Sequence, residues 1–173
     1  MHDLVQTTIE VLGGLEQWKQ DRQISAALSA SPSANDWKQA FAQRSAAAFA
    51  DAFAEDVVLE ATTLNKPVAG RENVKRVMEA ASKIYESLDF TDQATQGGRQ
   101  YVEWRARAFC GVELSGVTVI TRNEAGAIAR VAIHHRPLLG ALQFSVALGE
   151  RLTAVIDPSH FLAASSLQPL VRS

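Results

Sequence analysis

One cysteine, Cys110, stands in the whole sequence, so no disulfide forms within the chain. Strong charge of either sign is missing too. Lys and Arg number 17 against 19 Asp and Glu, for a net charge of −2. No basic block stands out, which argues against a nucleic-acid surface. No apolar run approaches the roughly 20 residues that span a bilayer, and no basic, apolar, small-residue leader opens the chain. A soluble, cytoplasmic protein with no membrane partner is expected. There is no glycine-rich phosphate loop and no Gly-x-Ser-x-Gly elbow. His134 and His135 are adjacent, so on a strand they face opposite ways and chelate one metal poorly; His2 and His160 lie near the termini. No metal and no cofactor is expected.

What the sequence does have is apolar material, 47% of 173 residues, enough for one full core. Tyr101 to Cys110 alternates strictly. Val102, Trp104, Ala106, Ala108 and Cys110 fall on one face, and Tyr101, Glu103, Arg105, Arg107 and Phe109 on the other, which reads as a strand. Cys110 ends an apolar strand and is expected to be buried. Gly111 ends the pattern and marks a turn or bulge. The β-branched stretch Val112–Thr121 reads as a second strand and Ile128–Arg136 as a third, joined by a turn at Asn123–Gly126. Short connections make them antiparallel neighbours. Pro137 stops the last strand and opens a helix, whose stripe is read as Leu138, Leu142, Ser145 and Leu152, widened by Leu139 and Val146.

Upstream, Leu4 to Leu28 carry helical spacing broken at Gly13-Gly14. Residues 1–32 read as a helical extension, either packed on the domain's own sheet or wrapped around a partner subunit. Trp37 and Phe41, then Phe49 and Phe53, are four apart and share helix faces. Val57–Thr62 reads as a short strand. Val74, Val77, Met78, Ala81 and Tyr85 stripe a helix from Arg71, and Leu88–Ala94 reads as another strand. Residues 33–153 form the domain, and 154–173 a tail. Strands grouped after helices argue for an α+β fold rather than a parallel sheet. A cone-shaped, strongly curved mixed or antiparallel sheet, with helices on its concave side enclosing a pocket, satisfies every stripe.

The stretch Phe49-Ala-Asp-Ala-Phe-Ala-Glu-Asp-Val-Val-Leu-Glu60, followed by Pro67-Val-Ala-Gly-Arg-Glu-Asn-Val74, resembles the opening of nuclear-transport-factor-2-like domains of the SnoaL type. Gly116 to Arg130 resembles that family's closing hairpin, and His135-Arg-Pro-Leu138 its last-strand ending. The resemblance covers about residues 35 to 150. It implies a cystatin-like cone and a small-molecule pocket. It also implies isomerase, cyclase, dehydratase or hydrolase chemistry without a cofactor, or a non-catalytic binding role. The proton-abstracting aspartate of ketosteroid isomerase maps onto Ala61, with Glu60 on the opposite face. The acid that cyclases place at the end of the last strand maps onto Arg136, and arginine is no base near neutral pH.

Two readings of the last strand stay open. In one, His134 and Arg136 share a face that lines the pocket, His134 as general acid/base and Arg136 as an anion clamp. Trp104, Ala106 and Ala108 then shape the apolar wall around a small apolar or carboxylated metabolite. In the other, His134 and Arg136 lie on the outer sheet face. A homodimer through that outer face, carrying Tyr101 and Phe109, is the expected assembly.

Overall fold

The computed structural model describes residues 33–44 and 46–167. The expected helices of residues 1–32 lie outside them. The chain divides into two compact units between Asn35 and Asp36, and the account below concerns the second.

Two helices, α1 (Ser33–Gln43) and α2 (Ala46–Ala50), precede strand β1 (Phe53–Ala61). The short β2 (Val68–Ala69) leads into α3 (Arg71–Ile84). Four strands follow: β3 (Ser87–Gln96), β4 (Arg99–Ala108), β5 (Val112–Arg122) and β6 (Ile128–Arg136). Helix α4 (Leu138–Leu152) and two short 3-10 turns, Pro158–His160 and Ala164–Ser166, complete the described chain. The strands form one mixed sheet in the order β2-β1-β6-β5-β4-β3. The pair β1–β6 is parallel and the other pairs are antiparallel. The α+β expectation holds, and the three long strands are antiparallel neighbours as their short turns require.

The alternation on β4 sets the core. Val102, Trp104, Ala106 and Ala108 are buried, while Glu103, Arg105 and Arg107 are exposed. Opposite Trp104 stands Gly116. A β-carbon on Gly116 would run into the Trp104 indole and the His134 carbonyl, so only glycine lets this ring lie flat on β5. The sheet's inner face meets Val74, Val77 and Met78 of α3 and Phe144 and Leu148 of α4 in one cluster. Arg71 ties α3 to the start of β1: Nε donates to the Phe53 carbonyl at 2.9 Å, and the guanidinium pairs with Glu55 at 2.6 Å.

Several expectations fail locally. The pattern Phe49/Phe53 does not continue a helix. The chain leaves helix after Ala50, and Phe53 opens β1 with its ring stacked on Phe49 at 6.4 Å. Strand β4 ends at Ala108, because Phe109 and Cys110 both adopt left-handed φ angles of 53° and 62°. The Glu86 carboxylate holds that turn by accepting from the Cys110 and Gly111 amides at 2.6 and 3.1 Å. As a result Phe109 turns inward against Phe144, 6.2 Å away, rather than onto the outer face, and Cys110 is exposed rather than buried. On α4 the buried stripe is Ala141, Phe144, Ser145, Leu148 and Leu152. Leu138 and Leu139, which the sequence places in the stripe, are instead exposed at the helix start. After α4 the chain folds back: Phe161 packs on Gly149, and Ser145 Oγ accepts from the Leu162 amide at 2.9 Å.

Candidate functional site

Strand β6 decides the site. Val131, Ile133 and His135 alternate inward, and Arg130, His134 and Arg136 are exposed. The register with β5 fixes this, pairing His135 with Gly116 and His134 with Val117. His134 and Arg136 therefore do not meet in a pocket. Arg136 instead lies 3.7 Å from Glu103 on the outer face. Of the two readings of this strand, the one with His134 as acid/base and Arg136 as clamp inside the pocket has no geometric basis, and both residues lie on the exposed face. Trp104, Ala106 and Ala108 are buried, and of the three Trp104 lines an inner cavity.

The inward histidine is His135. Its Nε2 is hydrogen-bonded to the Tyr85 hydroxyl at 2.9 Å, and its Nδ1 lies 3.4 Å from Thr62 Oγ1. Tyr85 is the residue at which α3 ends, turning to an extended backbone. Thr62 is the first residue past β1. Its amide donates to the Ile133 carbonyl at 3.0 Å, and its hydroxyl accepts from the His135 amide at 2.9 Å, so the side chain prolongs the ladder where the strand stops. Rings close around the pair: Trp104 lies 5.0 Å from His135, and Phe144 lies 5.2 Å from His135 and 4.9 Å from Tyr85.

Burial holds both groups neutral. His135 is pushed down from 6.5 to about 4, first by loss of water and second by the neighbouring His134. Tyr85 is pushed well above its ordinary value of 10.0 by burial. A neutral imidazole against a neutral phenol is a hydrogen-bonding pair, and its direction depends on the tautomer. Ala61 faces the core beside them where an aspartate would serve as a base, and Glu60 turns outward to pair with Arg130 at 2.6 Å.

Above Tyr85 lies a cavity of only ≈ 10 Å³, about the volume of one water. Trp37, Phe41, Trp104 and Thr118 are among its walls, and among the described residues no carboxylate lines it. Its polar groups are donors or hydroxyls. Trp104 donates to Thr118 Oγ1 at 3.2 Å, leaving the threonine proton free. The Trp37 indole N–H is buried without any partner. Half-buried Phe41 and Phe90, their rings 6.0 Å apart, separate this cavity from an open depression of ≈ 240 Å³. Phe41, Tyr85, Leu88 and Phe90 line both spaces.

A model of the SnoaL-like domain matches residues 34–131, more than half of the chain. The chain belongs to the SnoaL-like domain family. Its fold matches solved structures at low identity. A bacterial protein with a cystatin-like fold from Silicibacter pomeroyi is 21% identical with a TM-score of 0.69, over 73% of this chain and 89% of that one. A steroid delta-isomerase from Pseudomonas aeruginosa is 23% identical with a TM-score of 0.66, over 72% and 92%. A polyketide cyclase assignment from Sinorhizobium meliloti is 21% identical with a TM-score of 0.53, over 61% and 96%. No curated protein matches the sequence. The likenesses bear on fold, and the SnoaL-like fold hosts more than one activity.

Sequence reasoning did not single out Tyr85, His135 or Thr62. Tyr85 reads as the last member of an apolar helical stripe. His135 continues the series Val131, Ile133, His135, and that period of two is the signal that points to it. Thr62 carries no sequence signal, because its role depends on where β1 ends beside β6. No described helix is long and apolar enough to cross a membrane, and the described residues hold no group of three metal-ligating side chains.

Proposed function

We propose that this SnoaL-like protein binds a small, mainly apolar molecule through one acceptor oxygen, taken by Tyr85 in the cavity behind Phe41. One observation carries the reading: Tyr85, its hydroxyl held at 2.9 Å by His135, lines an aromatic cavity whose described walls carry donors and no carboxylate. His135 does not line the cavity and holds the phenol from outside it; an aromatic cavity with a few polar groups on its wall suits a mainly apolar ligand. In one tautomer the phenol donates to Nε2. In the other, Nε2–H donates to the phenol oxygen and the Thr62 hydroxyl donates to Nδ1, which frees the phenol proton. A ligand carbonyl selects the second state. Exposed Thr62 gives the imidazole a route to exchange its proton with water.

Binding rather than turnover is the better-supported role. A histidine that takes its proton near pH 4 is a weak base, and no carboxylate stands where enolisation needs one. The steroid isomerase likeness supports an apolar carbonyl compound as the ligand class. Phe41 must swing outward to admit it, since ≈ 10 Å³ holds no organic molecule.

The test compares acetophenone with ethylbenzene by thermal shift and calorimetry. The ketone binds about fivefold tighter than the hydrocarbon, the value of one neutral hydrogen bond of about 1 kcal/mol. Tyr85→Phe lowers the preference and Phe41→Ala strengthens binding of both. Equal affinity for the two compounds in the wild-type protein defeats the proposal.

The same reading includes a two-fold homodimer through the outer face. There Arg105, Arg107 and Arg136 alternate with Asp89, Glu103 and Glu113 around a groove of ≈ 690 Å³. Interleaved charges of both signs suit a patch that pairs with its own copy.

A further inference from the structure

The depression outside Phe41 has a sign of charge that the cavity behind it lacks. It is lined by Lys38 and Arg44 on one side and by Leu88, Phe90 and Ser82 on the other. Lys38 and the loop residue Arg44 come from the same short stretch of chain that carries Phe41. Lys38 Nζ sits 5.8 Å from the centre of the Phe90 ring. Among the described residues neither cation forms an ion pair and no carboxylate lines the depression. Arg71, Lys75, Lys83 and Arg130, by contrast, stand beside Glu55, Glu72, Glu79 and Glu60. Two unpaired cations at an aromatic-walled mouth attract an anion and can hold it half out of water, where the Coulomb energy is larger than in bulk.

Behind the mouth, the Trp37 N–H is unpartnered and only 1% of the residue is exposed. An orphaned buried donor costs free energy in the empty state, and an acceptor on a ligand recovers it. Gln100 buries an unpartnered N–H as well, but it does not line this cavity. The two spaces therefore ask for two different oxygens: a neutral acceptor inside, an anion outside, and an apolar spacer past Phe41 and Phe90 between them.

Resting on the ligand-binding reading above, we infer that the ligand is an oxo-carboxylic acid with an apolar spacer. Its carboxylate stays at the mouth with Lys38 and Arg44, and its keto oxygen accepts from Trp37 and Tyr85. The geometry makes Lys38 and Arg44 specificity-determining residues and Trp37 a second oxygen donor. The spacer displaces the Phe41 ring, and Lys38 exchanges its contact with Phe90 for the carboxylate.

The experiment uses the full chain and three probes: benzoylpropionate, its methyl ester, and phenylbutyrate, with alkyl oxo acids of increasing length paired with their esters. Calorimetry gives affinities, and a proton–nitrogen correlation spectrum follows the Trp37 indole N–H. The oxo acid binds about tenfold tighter than its ester at low salt, and added salt narrows the gap. The double variant Lys38→Glu/Arg44→Glu removes that advantage and leaves ester binding unchanged. Oxo acid and ester both shift the Trp37 N–H resonance, and phenylbutyrate does not. An ester that binds as well as its acid overturns the inference while leaving the Tyr85 site intact. Oxo acid and phenylbutyrate binding alike, with Trp37 unmoved, overturns the keto contacts of both Trp37 and Tyr85. Failure of every oxo acid and every ester to bind overturns the inference together with the ligand-binding reading.

Discussion

The two faces of the sheet at β4 and β6 are built from neighbouring residues with opposite surroundings. Inside, Trp104 and His135 touch rings and hydroxyls and hold no formal charge. Outside, Glu103, Arg105, Arg107 and Arg136 stand in water with weak ion pairs of 3.5 and 3.7 Å. His134 and His135 are covalent neighbours divided by this boundary. The difference shows that a strand position's chemistry is set by the side of the sheet it faces more than by its residue type. The same imidazole is exposed to solvent on one side and a buried, neutral hydrogen-bonding group on the other.

Truncations break this comparison most forcefully. Trp104→Ala removes a ring seated on Gly116 between Tyr85 and His135, and destabilises by about 3–5 kcal/mol, read by denaturant unfolding. Arg105→Ala, one residue along and exposed, changes stability by less than about 0.5 kcal/mol. Similar losses from both would mean that the inner and outer faces are not distinct.

A pH titration probes the two histidines. Unfolded His135 takes its proton near 6.5 and folded His135 near 4. Its stabilising effect is complete above pH 6.5 and is lost as the pH falls from 6.5 through about 4. The 2.5 units between those values correspond to about 3 kcal/mol. His135→Gln flattens the profile in that window. His134→Gln makes it only slightly shallower, since His134 is the lesser cause of the shift. An imidazole of His135 titrating near 6.5 in the folded protein would contradict its burial.

The smallest effect on the fold is expected at the outer face. Arg107→Glu, 62% exposed at its side chain, leaves stability within about 0.5 kcal/mol. Through loss of self-complementarity it converts the proposed dimer to monomer by light scattering. A wild-type protein of monomeric mass at micromolar concentration overturns the pairing.

Much of the fold is legible in sequence because its signals are local. The period of two along Val102–Ala108 requires only that one face be apolar. The stripe from Val74 to Ala81 needs only a helix. The site is less legible. Ala132 and Ile133 leave both faces of β6 fairly apolar, so composition does not choose between His134 and His135; a slip of one residue reverses them. The rotation of α4 is ambiguous for the same reason, since Leu138, Leu139, Leu142 and Phe144 together outline more than one face.

The sequence by itself determined the α+β class, the hairpin order β4-β5-β6, the helix from Arg71, and the absence of a carboxylate at Ala61. Each follows from periodicity, turn residues or one residue's identity. Only the tertiary structure decided that His135 meets Tyr85 and Thr62, that Phe109 turns inward, and that Phe41 closes the cavity. Those contacts join residues 50 and 73 positions apart, or hang on two left-handed backbone angles. Such outcomes depend on the β5–β6 register and on the packing of α1, α3 and α4 together, and no local pattern carries that information.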